Sequence, residues 1–171
     1  MCMGAQTLIS LEEYLHTSYS PDREYRDGVV MERNLGTKGH SHLQLALGAC
    51  FHRRRREWRI EAFTELRIRV RKDWYPIPDV CVYTEPVPEE EVPTRPPLLW
   101  IEILSPDDRM SEVWRKADEL IAHGVPYVWI IDPETLESEL RTAGGVQRVA
   151  DKTLRLEGSP IVIPLREVIE E

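Results

Sequence analysis

The almost wholly apolar segment from Tyr127 to Ile131 constrains the fold of this chain more than any other feature. Strands with so few polar residues are typical of the centre of a sheet that is covered on both faces. A helix is predicted just before it, from about Arg109 to His123, and Gly124 ends that helix. Its expected buried stripe consists of Met110, Val113, Trp114, Ala117, Leu120 and Ile121. The segment therefore predicts an α/β fold.

Another helix is predicted from about Gly39 to Arg56, because apolar residues recur along one face of it. These residues are Leu43, Leu47, Cys50 and Phe51. At the helical rotation of about 100° per residue, His40 falls on the apolar face and His42 on the opposite one. We therefore expect His40 to point inward, whereas His42 and His52 are expected at the surface.

Three strands are predicted between these two helices: Ile60 to Val70, Ile77 to Tyr83 and Leu98 to Leu104. In the first, Leu66, Ile68 and Val70 alternate with Arg67, Arg69 and Arg71, which is the two-residue period of a strand. Residues 84 to 97 are rich in proline and glutamate and are expected to form an exposed, mobile loop. The coarse order is α-β-β-β-α-β, with a core of about residues 39–133.

Shorter elements are predicted at both ends of this core. Residues 10 to 16 form a short helix with Ser10 as its N-cap, and a hairpin over residues 23 to 33 turns at Asp27-Gly28. A second hairpin is expected around Gly144-Gly145, followed by short strands near Leu154 and Ile161 and a terminal turn. The length favours one domain over residues 1–171.

Composition narrows the class of protein. No apolar run approaches the roughly 20 residues of a membrane span, and the first residues lack the pattern of a signal peptide, so a cytoplasmic protein is expected. The three cysteines, Cys2, Cys50 and Cys81, lack metal-ligand spacing and indicate reduced thiols. A net charge of −8 argues against non-specific coating of nucleic acid, although Arg53 to Arg56 supply a local basic cluster that could neutralise the helix end or touch phosphate.

Two carboxylates in apolar strands are the candidate functional residues. Glu102 interrupts the strand from Leu98 to Leu104, where an unpaired carboxylate would be costly. Asp79 follows Pro78 at the start of another strand, so the two carboxylates converge if the strands pair. One or two carboxylates and water suit Mg²⁺. The alternative is structural: Glu102 pairs with a buried cation and Asp79 caps a turn.

The order and spacing of several short motifs resemble the PD-(D/E)xK nuclease superfamily and, more narrowly, the Uma-type putative restriction endonucleases. The motifs are Glu24-Tyr25-Arg26-Asp27-Gly28, His40 with Gln44, Ile77-Pro78-Asp79, Glu102-Ile103-Leu104-Ser105-Pro106, and Lys116 before Gly124-Val125-Pro126-Tyr127-Val128-Trp129. The similarity spans about residues 10 to 133. It implies a restriction-endonuclease-like core, with a mixed central sheet between helices, an N-terminal hairpin and a C-terminal β extension.

The resemblance also implies a site and a substrate. Asp79, Glu102 and the carbonyl oxygen of Ile103 would bind Mg²⁺ or Mn²⁺, and DNA would be the substrate. The sequence departs from the superfamily motif two residues after Glu102, where Leu104 replaces the usual lysine. Lys116 is the substitute that the narrower family pattern suggests.

Each remaining candidate has a functional and a structural interpretation. Lys116 lies at the margin of its helix's apolar stripe, where it either reaches the site or extends to solvent. His40 either donates to a carboxylate or phosphate, or bonds only to the backbone. Glu24 is an additional metal ligand if the hairpin folds over the site, and otherwise a solvated residue. The segment from Ser105 to Asp107 is expected to cap the second helix.

These observations predict a metal-dependent endonuclease that hydrolyses DNA phosphodiester bonds, with Asp79 and Glu102 as metal ligands and Lys116 and His40 as further catalytic residues. A homodimer or larger homo-oligomer is compatible with it, because cutting both DNA strands commonly takes two sites. The alternative is a catalytically silent module that keeps the fold and binds nucleic acid or protein. Leu104 and the acidic balance both permit this alternative.

Overall fold

The computed structural model describes residues 8–34 and 36–170, which form four helices and eleven strands. Along the chain these are α1 (Leu11–His16), β1 (Glu24–Arg26), β2 (Val29–Met31), α2 (Lys38–Trp58), β3 (Ile60–Thr64), β4 (Trp74–Tyr75), β5 (Val80–Thr84), β6 (Leu99–Ile103), α3 (Met110–Ala122), β7 (Tyr127–Ile131), β8 (Ser138–Thr142), β9 (Gly145–Arg148), β10 (Thr153–Arg155), β11 (Val162–Pro164) and α4 (Leu165–Glu170).

A mixed sheet of six strands lies at the centre, in the order β3-β5-β6-β7-β8-β9. Its neighbouring strands are antiparallel except for β6 and β7, which run parallel and are joined through α3. Strand β7 spans the residues predicted from its apolar character, and it lies inside the sheet between β6 and β8. The predicted α/β fold with a mixed central sheet is therefore confirmed.

Helices cover the two faces of this sheet. Side chains alternate along each strand, so Leu99, Ile101 and Ile103 of β6 pack in the cluster that contains the apolar face of α2. Trp100 points to the other face and packs in the cluster that contains Ala117 and Leu120 of α3. Glu102 shares the face of Trp100, so the strand aims its one carboxylate toward α3.

The N-terminal hairpin forms as predicted and folds onto the core. Asp27 and Gly28 adopt the positive φ angles of 51° and 86° that a tight hairpin turn requires. Strand β1 then pairs with β4 as well as β2, so that Tyr25 lies opposite Tyr75. This pairing fixes Glu24 close to the segment that leads from β4 into β5.

The first predicted strand of the core is shorter than expected. It ends at Thr64, and Glu65 has a φ of 53°, which turns the chain out of the sheet. The N–H of Ile68 then donates to the carbonyl of Pro76 and that of Arg69 to the carbonyl of Pro93, and residues 66 to 70 lie outside the sheet. The prediction of a sheet strand from the alternation of apolar and basic residues is therefore wrong for this segment.

Two expectations, for Trp114 and for the C-terminal segment, are wrong. Trp114 is 40% exposed, because it stands at the edge of the apolar stripe of α3, where Arg141 of β8 lies over its ring. The C-terminal turn is the helix α4, whose Leu165 and Val168 are buried. Hairpin β8–β9 forms around Gly144-Gly145 as predicted, and β10 pairs with β11 near Leu154.

The described cysteines, Cys50 and Cys81, are buried and free, whereas Cys2 lies outside the described residues. Burial raises the pKa of the Cys81 thiol to about 12 and raises that of Cys50 as well. Because the thiolate is the reactive form, we expect iodoacetamide at neutral pH to spare both thiols in the folded protein and to alkylate both after denaturation. Peptide mass mapping reads this out, and rapid native alkylation of Cys81 would contradict the buried placement.

Within residues 8–34 and 36–170, no helix combines the length and the apolar character needed to cross a membrane.

Candidate active site

Sheet register brings the two candidate carboxylates together. Val80 of β5 lies opposite Ile101 of β6, and the N–H of Asp79 donates to the carbonyl of Ile101 at 3.2 Å. One step further along the same antiparallel ladder, Asp79 and Glu102 are neighbours across the strands. The N–H of Ile103 donates to Oδ2 of Asp79 at 2.7 Å, which ties the two strand ends together.

Asp79 is buried and has a basic side chain on each side. Nη2 of Arg33 donates to Oδ1 at 2.8 Å, and Nε2 of His40 lies 3.3 Å from Oδ2. The main-chain carbonyl of Asp79 accepts from the side-chain amide of Gln44 at 3.0 Å. These contacts hold the carboxylate in one position and compensate its charge.

Glu102 and Glu24 share the ammonium group of Lys116. Nζ of Lys116 lies 2.7 Å from Oε1 of Glu102 and 2.8 Å from Oε1 of Glu24. Glu24 is held by the hairpin, and its Oε1 also accepts from the N–H of Ile77 at 3.0 Å. Lys116 thus lies inside the cleft and not at the solvent margin of α3, and the hairpin does fold over the site. The use of Glu24 as a metal ligand stays a prediction.

Burial and the neighbouring charges shift the pKa values of Lys116, Glu102 and His40, often in opposite directions. Burial lowers the pKa of Lys116, but Glu102 and Glu24 more than offset this effect, so the pKa is raised and the ammonium stays charged. For Glu102, burial raises the pKa, and Asp79 and Glu24 act in the same direction against the attraction of Lys116. A hydrogen bond to Asp79 raises the pKa of His40, although burial opposes it. The site is therefore a compensated network of carboxylates and cations.

An open cleft of about 370 Å³ lies over this network. Glu24, Arg33, His40, Asp79, Glu102 and Lys116 all line it, and so does Ile103. The predicted site residues therefore surround one cleft. Two exposed arginines at its border, Arg109 and Arg115, have side chains that are 80% and 60% exposed.

The donor set fits a hard divalent ion that keeps much of its water. In residues 8–34 and 36–170, no group of three or more histidine, cysteine, aspartate or glutamate side chains is arranged to hold a metal ion. Mg²⁺ commonly takes one or two carboxylates together with water and substrate phosphate, so Asp79 and Glu102 suffice for this mode of binding. The hydrogen bond from Trp100 and the 2.7 Å ion pair with Lys116 are both made to Oε1 of Glu102, so Oε2 is the oxygen that would face a ligand.

Two residues that contact the carboxylates were not found from the sequence. Arg33 follows the hairpin and was not distinguished from other basic residues, because only the fold brings it to Asp79. Trp100 is fully buried, yet its Nε1 donates to Oε1 of Glu102 at 2.7 Å. The two-residue spacing in one strand was the available signal for Trp100, since it places both side chains on the same face.

Two further predictions concern the segment from Ser105 to Asp107 and the arginines from Arg53 to Arg56. The segment from Ser105 to Asp107 does not cap α3: the N-cap is Arg109, which makes no side-chain cap bond. Asp108 closes the preceding turn instead, through the N–H of Ser105. The arginines from Arg53 to Arg56 lie at the C-terminal end of α2, at the far end of the helix from His40.

His40→Ala is expected to cost more than His42→Ala. The former removes a buried contact to Asp79 and should destabilise the fold by about 1 to 3 kcal/mol, besides lowering any cleavage rate. His42 is exposed, so its replacement should change the free energy of unfolding by about 0.5 kcal/mol or less. Paired thermal melts compare them, and the reverse order would contradict the geometry of α2.

Comparison with known proteins agrees with the fold. The family model Uma2, described as putative restriction endonuclease, matches residues 11–165. A crystal structure of a putative nuclease belonging to DUF820 from Anabaena variabilis has a TM-score of 0.80 and 22% sequence identity. The match covers 95% of this chain and 98% of that one. No curated protein matches the sequence. Because the family model covers nearly the whole chain, the protein belongs to the Uma2 family of putative restriction endonucleases.

Proposed function

We propose that this chain is an endonuclease that uses Mg²⁺ or Mn²⁺ to hydrolyse phosphodiester bonds of DNA. The observation that carries the proposal is the juxtaposition of Asp79 and Glu102 at the ends of paired strands, with the Lys116 ammonium 2.7 Å from Glu102. Family membership supports nuclease chemistry, and the cleft supplies an open surface above the carboxylates.

Asp79 and Glu102, with the carbonyl oxygen of Ile103, would hold the divalent ion. When bound, the ion would activate a water molecule and neutralise charge on the phosphoryl group. The protein contributes a fixed position for each carboxylate: the Ile103 N–H and Arg33 hold Asp79, while Lys116 holds Glu102.

Lys116 supplies the positive charge that the residue at position 104 lacks. Its ammonium stays charged because two carboxylates flank it, and it faces the cleft with 22% of its side chain exposed. There it can orient the attacking water and stabilise negative charge that develops on the phosphate. In this proposal Glu24 holds Lys116 in place, and His40 supports Asp79.

Exposed arginines at the cleft border suit a phosphate backbone. Arg109 and Arg115 border the cleft, and a guanidinium group can donate two parallel hydrogen bonds to a phosphate. Each also pairs with a carboxylate, Arg109 with Glu112 at 3.7 Å and Arg115 with Glu119 at 2.9 Å, so a phosphate would compete with these partners. The two arginines would position the duplex without reading its sequence.

A supercoiled plasmid tests the proposal directly. We expect nicked or linear products with Mn²⁺ or Mg²⁺, and none with EDTA. Nicked and linear forms separate on a gel, which also shows whether the two strands are cut together. A folded protein that leaves the plasmid intact with both ions, over a range of enzyme concentrations, would reject the proposal and favour a binding module.

A further inference from the structure

Trp100 is a fully buried side chain in contact with both charged partners of the cleft. Its indole N–H donates to Oε1 of Glu102 at 2.7 Å, and its ring lies 5.7 Å from Nζ of Lys116. The face of an aromatic ring attracts a cation at this distance. One rigid core residue therefore contacts the carboxylate through its edge and the ammonium through its face.

The two donors on Oε1 determine what Glu102 can offer to a ligand. Nε1 of Trp100 and Nζ of Lys116 both contact Oε1 and not Oε2. Trp100 is 0% exposed and packs between the sheet and α3, so its N–H has little freedom to move. A donor fixed in this way also fixes the plane of the carboxylate.

We propose that Trp100 is a positioning residue. It orients Glu102 so that Oε2 remains available to a ligand, and its ring face holds the ammonium of Lys116 in place. The proposal rests on the proposed function, since it names a residue that serves the same site. Trp100 does not reach the cleft surface, so it acts through Glu102 and Lys116 alone.

The chain contains a matched control in Trp129. This residue is also 0% exposed and lies on β7, the strand next to Trp100. It points to the opposite face of the sheet, toward α2, and its Nε1 has no hydrogen-bond partner in the described residues. Replacing either tryptophan by phenylalanine removes a similar volume, but only at position 100 does it remove a hydrogen bond to a carboxylate.

The first experiment compares Trp100→Phe with Trp129→Phe in plasmid cleavage and in calorimetric Mn²⁺ binding. Loss of a group that orients a metal ligand typically costs about 10- to 100-fold in metal affinity or activity. We expect a loss of that size in kcat or Mn²⁺ affinity for Trp100→Phe, with the KM for DNA unchanged, and near-parental values for Trp129→Phe. Equal values for the two variants would overturn the proposal.

The second experiment measures the bond without any need for activity. Unfolding by denaturant is followed for Trp100→Phe, Glu102→Met and the double variant, because methionine keeps the length of Glu102 and removes its acceptor. We expect the effects to be non-additive by about tenfold in the unfolding equilibrium constant, as suits a hydrogen bond to a charged group. Additive effects would overturn the proposal even if the protein is a nuclease.

The two experiments also separate this inference from the proposed function. A parental chain that neither binds Mn²⁺ nor cuts the plasmid would overturn the proposed function and the positioning role together. Cleavage by the parental chain together with equal Trp100→Phe and Trp129→Phe rates would overturn only the positioning role.

Discussion

Glu102→Gln is expected to abolish metal-dependent cleavage and to weaken Mn²⁺ binding by more than about 100-fold, because it removes a ligand charge outright and not merely a group that orients one. The glutamine keeps the shape of the side chain and can still accept the indole N–H of Trp100. The geometry of the cleft should therefore persist while its charge changes.

The stability of this variant should change little. Lys116 loses one of its two carboxylate partners but keeps Glu24 at 2.8 Å, while the repulsion that Glu102 experiences from Asp79 and Glu24 disappears. These effects oppose one another, so we expect a change within about 1 kcal/mol in the absence of metal. Mn²⁺ should raise the melting temperature of the parental chain and leave that of Glu102→Gln unchanged.

Asp79→Asn provides the comparison that distinguishes a metal ligand from a structural carboxylate. It should remove cleavage equally, yet it also leaves the partly buried Arg33 without the carboxylate charge that pairs with it and should destabilise the protein by about 1 to 3 kcal/mol. Carboxylate repulsion alone would predict that both variants become more stable, but losing the charge that pairs with Arg33 cancels that gain at Asp79. Unchanged Mn²⁺ affinity in both variants would contradict the assignment of the site.

The sequence predicts most of the elements that position the site, because these elements carry strong local signals. Asp27-Gly28 sets the hairpin, the apolar character of Tyr127 to Ile131 sets the central strand, and Pro78 lies just before Asp79, which immediately precedes β5. Convergence of Asp79 and Glu102 follows once the two strands pair. Each of these inferences depends on neighbours close in sequence or on one strand pairing.

Contacts between residues far apart in the sequence could not be predicted in this way. Glu65 ends β3 with a positive φ that its residue type does not indicate, and Arg33 reaches Asp79 only because the hairpin folds across the core. The position of Lys116 between Glu102 and Glu24 depends on three separate elements, α3, β6 and β1. The sequence therefore does not show which cations compensate the carboxylates, whereas the fold does.

Lys116→Met is expected to lower the single-turnover cleavage rate at saturating Mn²⁺ by about 10²- to 10³-fold, since loss of one preorganised electrostatic group typically has an effect of this size. Methionine retains much of the apolar stem and removes only the charge. Mn²⁺ binding should persist or become tighter, because the substitution removes a cation beside Glu102 without removing a ligand.

The stability of the folded protein should also fall in the Lys116→Met variant. Without the ammonium, Glu24 and Glu102 face each other uncompensated, so breaking this partly buried network should destabilise the protein by about 3 kcal/mol. Lys72→Met is the matched control: Lys72 is exposed, and its replacement should change stability by about 0.5 kcal/mol or less and leave the rate unchanged. A solvated lysine at the helix margin would behave like Lys72 in both measurements. If Lys116→Met cuts DNA at the parental rate, Lys116 has only a structural role, and the cleft must obtain its positive charge from Arg33 or from the metal alone.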